Sequence, residues 1–295
     1  MFQRKFLPIF LLFLLTAAFA LSGCTGASEG VRQVSGLDAL GAVQVVSREE
    51  GSGTRNSFAD LLGFADADSD AAADGALTAS DTDSVVEAVA ADKSAIGYVS
   101  MGTELDDNVK TLTVDGAAGT LENVVSGKYA LSRPFCLVWS GELNAVEQDF
   151  MTYVMGKGQS VVEKSYAPVH SSVNFLSDMS GGTITIHGST SAAPLIRELA
   201  EEYEAINTNA TVEITVSDST GGINDAMQGL CGIGMASREL KDYEKELLDY
   251  KVIAYDGIAV IVNAENPLES VTSRELKALF TGEISRWEDI NKGRD

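Results

Sequence analysis

Basic residues, cysteine and histidine are all scarce in this 295-residue sequence, and each shortage closes a class of function. With 21 Lys and Arg against 43 Asp and Glu, the net charge is −22, so the chain has no basic field for nucleic acid or an acidic lipid surface. The same field repels small anions, so any anion site must work through local dipoles and a few arginines. Three cysteines and two histidines, His170 and His187, make no zinc, redox or metal spacing, and no cofactor is implied. Cys136 and Cys231 lie inside apolar runs; buried free thiols are the favoured reading and a disulfide the alternative. No repeat of solenoid period recurs. The Asp-rich stretch Ala65–Ser80 lacks a twelfth-position Glu, which excludes a calcium loop and leaves a solvated one.

Only the start of the chain is continuously apolar. Arg4 and Lys5 precede Phe6–Ala20, a run too short for a comfortable membrane span. Leu21-Ser22-Gly23-Cys24 is similar to a lipoprotein cleavage box. Residues 1–23 are therefore expected to be a lipoprotein signal peptide, with Cys24 lipidated and residues 24–40 a tether on the extracytoplasmic face of the cell membrane. An ordinary secretory signal with an incidental cysteine is the alternative.

What remains has 45% hydrophobic residues and 28 glycines, the composition of a folded α/β protein with one large or two medium domains. Val43, Val45 and Val46 alternate as in a strand, and Phe58, Leu61 and Leu62 share a helical face. Between them stands Ser47-Arg48-Glu49-Glu50-Gly51-Ser52-Gly53-Thr54-Arg55. Glycines let the backbone approach closely, hydroxyls donate, and the first turn of the helix points free N–H groups outward at its positive end. Arg48 adds a planar cationic fork, so the turn reads as an oxyanion site. A plain helix cap is the simpler reading of Gly-Ser-Gly-Thr alone.

The pattern recurs. The strand Thr183–His187 leads through Gly188-Ser189-Thr190-Ser191 into a helix carrying Leu195, Leu199 and Tyr203. The strand Val212–Val216 leads into Ser217-Asp218-Ser219-Thr220-Gly221-Gly222, and Ile233-Gly234-Met235-Ala236 ends in Ser237-Arg238. Further helices are expected over Asp83–Asp92 and after the capping box Thr272–Glu275. Strands are expected over Ala95–Ser100, Val109–Val114, Ser132–Ser140 and Lys251–Asn263, with a linker at His170–Ser180.

These motifs together resemble the phosphate-binding proteins of bacterial phosphate ABC importers, with the family's two halves in reversed, circularly permuted order. A fragment of a longer tandem chain is the alternative. The resemblance implies an α/β, two-lobed periplasmic-binding-protein-like fold of type II, each lobe a mixed sheet flanked by helices, with the ligand cleft between lobes. One lobe would combine 38–133 with 261–295, the other would span 134–260, and 170–181 would join the family's original ends. Strands Ser132–Trp139 and Asp256–Asn263 would form the hinge. The family ligands carry over to Arg48, Ser52, Gly53, Thr54, Thr190, Ser191 and Ser219. Some members place an acidic residue after Ala-Ser to accept the proton of bound phosphate. Arg238 stands there, which implies weaker discrimination against sulfate if it faces the cleft; a surface salt bridge to a neighbouring Glu is the alternative. The implied partners are inorganic phosphate, permease subunits and a lipid anchor. Another oxyanion receptor (sulfate, molybdate), a surface phosphate sensor, and a secreted hydrolase using Ser52 or Ser189 are the competing functions. The last lacks both a placed base and a Gly-x-Ser-x-Gly elbow.

Overall fold

Eight apolar segments form the main path of a single mixed sheet in the computed structural model, which describes residues 34–66, 69–70 and 75–294. The expected signal segment, Cys24 and most of the tether lie outside the described residues. The strands are β1 (Gln44–Arg48), β2 (Leu77–Ala79), β3 (Ala95–Ser100), β4 (Ser132–Trp139), β5 (Gly182–Ser189), β6 (Ala210–Ser217), β7 (Ile233–Ala236) and β8 (Asp249–Asn263). Their spatial order is β6-β5-β7-β4-β8-β3-β1-β2. At one end β1 runs parallel to β2 and β3; at the other β5 runs parallel to β6 and β7. The antiparallel pair β4–β8 joins the two ends. Parallel strands covered on both faces read as continuous apolar runs, and all six residues of β3 are buried.

The α-helices of six or more residues are α1 (Gly53–Leu62), α2 (Thr82–Ala91), α3 (Ala145–Met155), α4 (Ala193–Ile206), α5 (Ser219–Met227), α6 (Asp242–Leu247) and α7 (Ser273–Phe280). A side chain caps most of them: Ser52 for α1, Asp81 for α2, Asn144 for α3, Asp218 for α5 and Thr272 for α7. Pro194 lies in the first turn of α4, where its missing N–H costs nothing. No helix among the described residues is long and apolar enough to cross a membrane.

The apolar side chains divide into two lobes. One core gathers Phe135, Phe150, Tyr153, Ile186, Leu199 and Ile253. The other gathers Phe58, Tyr98, Ile258, Leu276, Phe280 and Trp287, with Phe58 stacked on Tyr98 at 4.2 Å between centroids. Each core thus draws on both sides of the 170–181 segment. The strand entry at Ala42–Val43 meets residues near the far end of the chain: Val43 N–H donates to Ser285 O at 2.9 Å, and Trp287 N–H donates to Gly41 O at 3.1 Å.

Several expectations need correction. The tether stops short of Leu40, because Leu37–Leu40 forms a 3-10 turn and Leu37 is buried in the second core. The division after residue 260 falls too late, since Ile258 and Val260 already pack in that core. The chain crosses where Arg133 pairs with Asp256 and Ser132 with Gly257, just past a register shift between Val252 and Ala254 that bends β8. The expected loop over Ala65–Ser80 contains β2, and Val109–Val114 splits between two sheets. Cys136 and Cys231 are free and buried; burial pushes their thiols up to about 12 and about 11. The linker His170–Ser180 is irregular as expected, and Asp149 holds its far end through Ser177 Oγ and the Asp178 N–H.

Candidate anion-binding site

Helices α1, α2, α4 and α5 each follow a parallel strand, so their N-terminal turns stand at the carboxyl edge of the sheet, the usual ligand side of α/β folds. Contacts between these turns define one seam between the lobes. Arg48, at the end of β1, is 2% exposed. Its Nη2 donates to Thr190 Oγ1 at 2.9 Å and its Nη1 to Thr82 Oγ1 at 3.2 Å. Glu49 holds the other edge of the guanidinium in a bidentate pair, with both contacts at 2.7 Å. Thr54 Oγ1 and Ser191 Oγ lie 2.8 Å apart across the seam. The fork of Arg48 is thereby fixed, and hydroxyls from both lobes surround it.

Two glycines let the α1 turn come this close. Gly51 has φ +92°, and a Cβ there would lie 2.6 Å from Asp218 Oδ1. A Cβ on Gly53 would lie 2.2 Å from Ser219 Oγ and 2.7 Å from Ser237 Oγ. The Gly51 carbonyl accepts from Thr220 N–H at 3.3 Å and from its hydroxyl at 3.1 Å. These contacts describe a closed cleft. Beside it opens a cavity of about 460 Å³ that reaches Thr82 and Thr190 and is lined by Glu49, Asp81, Asp83 and Asp218 and by Arg197. Asp81 caps α2, and the hydrogen bond from Ser84 N–H at 2.8 Å holds its carboxyl below the usual range. Beneath Arg48, Tyr98 Oη contacts Ser47 Oγ at 3.0 Å, and burial pushes its phenol up.

Arg48, Gly53, Thr54, Thr190, Ser191 and Ser219 are therefore brought together. Ser52 stands in the same buried turn, where its hydroxyl also caps α1, accepting from Arg55 N–H at 3.4 Å. One expected residue is not brought in. Arg238 turns to Glu244 in a bidentate pair at 2.7 and 2.8 Å, with both side chains buried. It approaches the seam only through Thr220 Oγ1 at 3.5 Å. Arg238 thus pairs with a neighbouring Glu as the alternative had it, but in a buried pair and not a surface one, and it does not face the cleft. Sequence reasoning missed Thr82, whose one signal is its place directly after the capping Asp81. It also passed over Ser237, although that residue ends a motif already singled out. Neither candidate nucleophile meets a base: the Ser189 hydroxyl donates to Ser237 Oγ at 2.9 Å, while His187 pairs with Asp225 at 2.8 Å.

Two lobes, a crossing strand pair and polar helix mouths meeting at one seam define the class of two-lobed receptors that close on a small ligand. The comparisons with known proteins agree. A family model described as a PBP superfamily domain matches residues 32–157 and 176–295. Phosphate-binding protein PstS 2 of Streptococcus agalactiae serotype V is 38% identical over 284 residues, covering 92% of this chain and 97% of that protein. Its counterpart from Streptococcus pneumoniae serotype 4 is 36% identical over 281 residues, covering 93% and 95%. The crystal structure of a phosphate ABC transporter's phosphate-binding protein from Streptococcus pneumoniae TIGR4 matches with a TM-score of 0.70 and 36% identity, covering 85% of this chain and 100% of that one. The chain belongs to the PBP superfamily and, within it, to the family of the PstS phosphate-binding proteins.

Proposed function

We propose that this protein is the substrate receptor of a phosphate ABC importer, which closes on inorganic phosphate and delivers it to a membrane permease. The observation that carries this reading is the seam itself. Arg48 Nη2 meets Thr190 at 2.9 Å, and Thr54 meets Ser191 at 2.8 Å, so donors from both lobes address one point. Arg48, the Gly53 backbone, Thr54, Thr190, Ser191 and Ser219 would hold the anion, with Thr82 joining them. Hydrogen bonds to a charged group contribute about 1.5–3 kcal/mol each. Several of them, less closure and ordering costs, supply the ~8 kcal/mol of a micromolar site. No catalytic step is assigned. Transport rather than hydrolysis fits a set of hydroxyls that bond one another and have no base.

The lobes would be bounded near the Arg133–Asp256 crossing. We read the order of motifs as a permutation that this chain shares with the PstS 2 proteins, which align with it over 95–97% of their length, and the contacts of Gly41–Val43 with Ser285–Trp287 are compatible with it. Lipid anchoring through Cys24 rests on the cleavage box alone, and the mass of the mature chain checks it. Titration of the purified chain against phosphate, arsenate, sulfate and molybdate tests the ligand. Arg48→Ala and Thr54→Val should each weaken phosphate binding by about 2–5 kcal/mol, roughly thirtyfold or more, with circular dichroism unchanged. Wild-type phosphate affinity in both variants would remove this loop from the site.

A further inference from the structure

Below the hydroxyls around Arg48 lies a second set with its own cation. Arg133 on β4 and Asp256 on β8 stand opposite each other where the two strands cross between lobes. Their side chains are 1% and 0% exposed, and Arg133 Nη2 and Nε donate to Asp256 Oδ2 at 3.0 and 3.2 Å. Ser100 Oγ donates to Oδ1 of the same carboxylate at 2.9 Å. A buried ion pair that only joined two strands would gain little over a well-packed apolar pair. Arg133, however, has a third nitrogen, and it turns toward the seam. Nη1 donates to the Ser237 carbonyl at 3.0 Å and to Ser237 Oγ at 3.2 Å.

The direction of each hydrogen bond beyond Ser237 then follows from donor counting. Ser237 Oγ accepts from Arg133 and also from Ser189 Oγ at 2.9 Å, which occupies both of its lone pairs. Its own proton is left for Ser219 Oγ, 3.3 Å away. Ser219 Oγ already accepts from the Ser237 N–H at 3.0 Å. With both lone pairs taken, Ser219 can present only its proton outward, on the side where the Gly53 backbone closes over it. An arginine can never reverse this order, because it has no acceptor and stays protonated.

We infer that Arg133 is a positioning residue for anion binding, which acts through Ser237 to hold the Ser219 hydroxyl as an obligate donor to a tetrahedral oxyanion. The inference rests on the proposed phosphate site and adds Arg133 and Ser237 to it, although neither need touch the ligand. It makes this edge of the site complementary to an unprotonated oxygen and hostile to a hydroxyl-bearing face of a ligand. Asp256 serves the relay by fixing two nitrogens of the guanidinium, so that the third keeps its aim.

The test is a set of isothermal titrations of the full purified chain with inorganic phosphate. Ser219→Ala and Ser237→Ala should each raise Kd by about tenfold, the size expected for one hydrogen bond to a charged ligand. Stoichiometry should stay at one site, which separates lost affinity from lost fold. Because Ser237 acts through Ser219, the double variant should be no weaker than Ser219→Ala alone. Arg133→Gln should weaken binding in the same direction and Arg133→Lys should recover part of the loss; Ser237→Ala carries the test if Arg133→Gln does not fold. Wild-type affinity in Ser237→Ala, or independent multiplication of the two serine effects, would overturn the relay while leaving the anion receptor standing. Absence of any oxyanion binding by the wild-type chain would overturn both.

Discussion

Arg238 shows how far a single residue can be read in isolation. Its motif placed it at the ligand, yet a carboxylate six positions later captured it, because a buried guanidinium needs a partner of matching geometry. Burial alone would raise Glu244, but hydrogen bonds from Arg238 and from the Lys241 N–H, with the nearby positive charge, hold it below the usual carboxylate range. A carboxyl whose folded pKa lies below its unfolded one contributes stability above the unfolded value and loses it as pH falls through the folded value. Glu244→Gln should therefore cost about 3–5 kcal/mol at neutral pH. The gap between variant and wild type should narrow in denaturant melts taken below pH ~4, where wild-type Glu244 also protonates. A pH-independent gap would show that charge plays no part. Phosphate affinity should move little in this variant, since the pair sits behind Thr220.

At the scale of elements, the turn between β1 and α1 was legible because its physics is local. A strand pattern, glycines, hydroxyls and a cap residue lie within a dozen positions, and the structure keeps that order. That the turn faces the mouths at Thr190–Ser191 and Ser219 followed only from the family resemblance, not from the local pattern. Gly53 faces hydroxyls of Ser219 and Ser237, far along the chain, and its missing side chain is room for the opposite lobe. Alanine is favoured over glycine in helices by roughly 1 kcal/mol, so Gly53→Ala should leave α1 and the thermal stability of its lobe intact or slightly raised. Its methyl group should nevertheless hold the lobes apart. Phosphate affinity should drop by about tenfold or more, and the radius of gyration in saturating phosphate should stay at the open value. Normal closure in this variant would contradict the tight seam. The short elements β2 and α6 escaped notice because three to six residues carry too little periodicity to register.

For the whole molecule, the segment 170–180 joins the two halves and is held at Phe175, which packs on Tyr153 and Tyr203, and at Ser177 and Asp178, while Leu176 is 94% exposed. Both cores take strands from each side of it. A protease site inserted after Leu176 and then cleaved should leave the two fragments associated under native conditions, with phosphate affinity within about twofold of the intact chain. Separation of the fragments on native gel filtration would show that the cores do not interlock. The charge of −22 acts at this scale too. The cavity beside the seam is lined by Glu49, Asp81, Asp83 and Asp218, with Arg197 as the one cation among the described residues that line it, so recognition depends on the few oriented groups of the site.

The sequence by itself determined the α/β class, the strand–turn–helix units and the cap at Thr272, because each depends on periodicity or on chemistry within one turn; Arg48, Thr54, Thr190, Ser191 and Ser219 were singled out together through the family resemblance of the motifs they stand in. Only the tertiary structure decided the atom-to-atom contacts at the seam, which lobe each half of β8 serves, and which partner each arginine takes. Arg48 and Arg133 reach hydroxyls at the seam, whereas Arg238 is neutralised behind it. Those outcomes hang on pairings between residues from six to 142 positions apart. Long-range burial chose among partners that the linear order left equal.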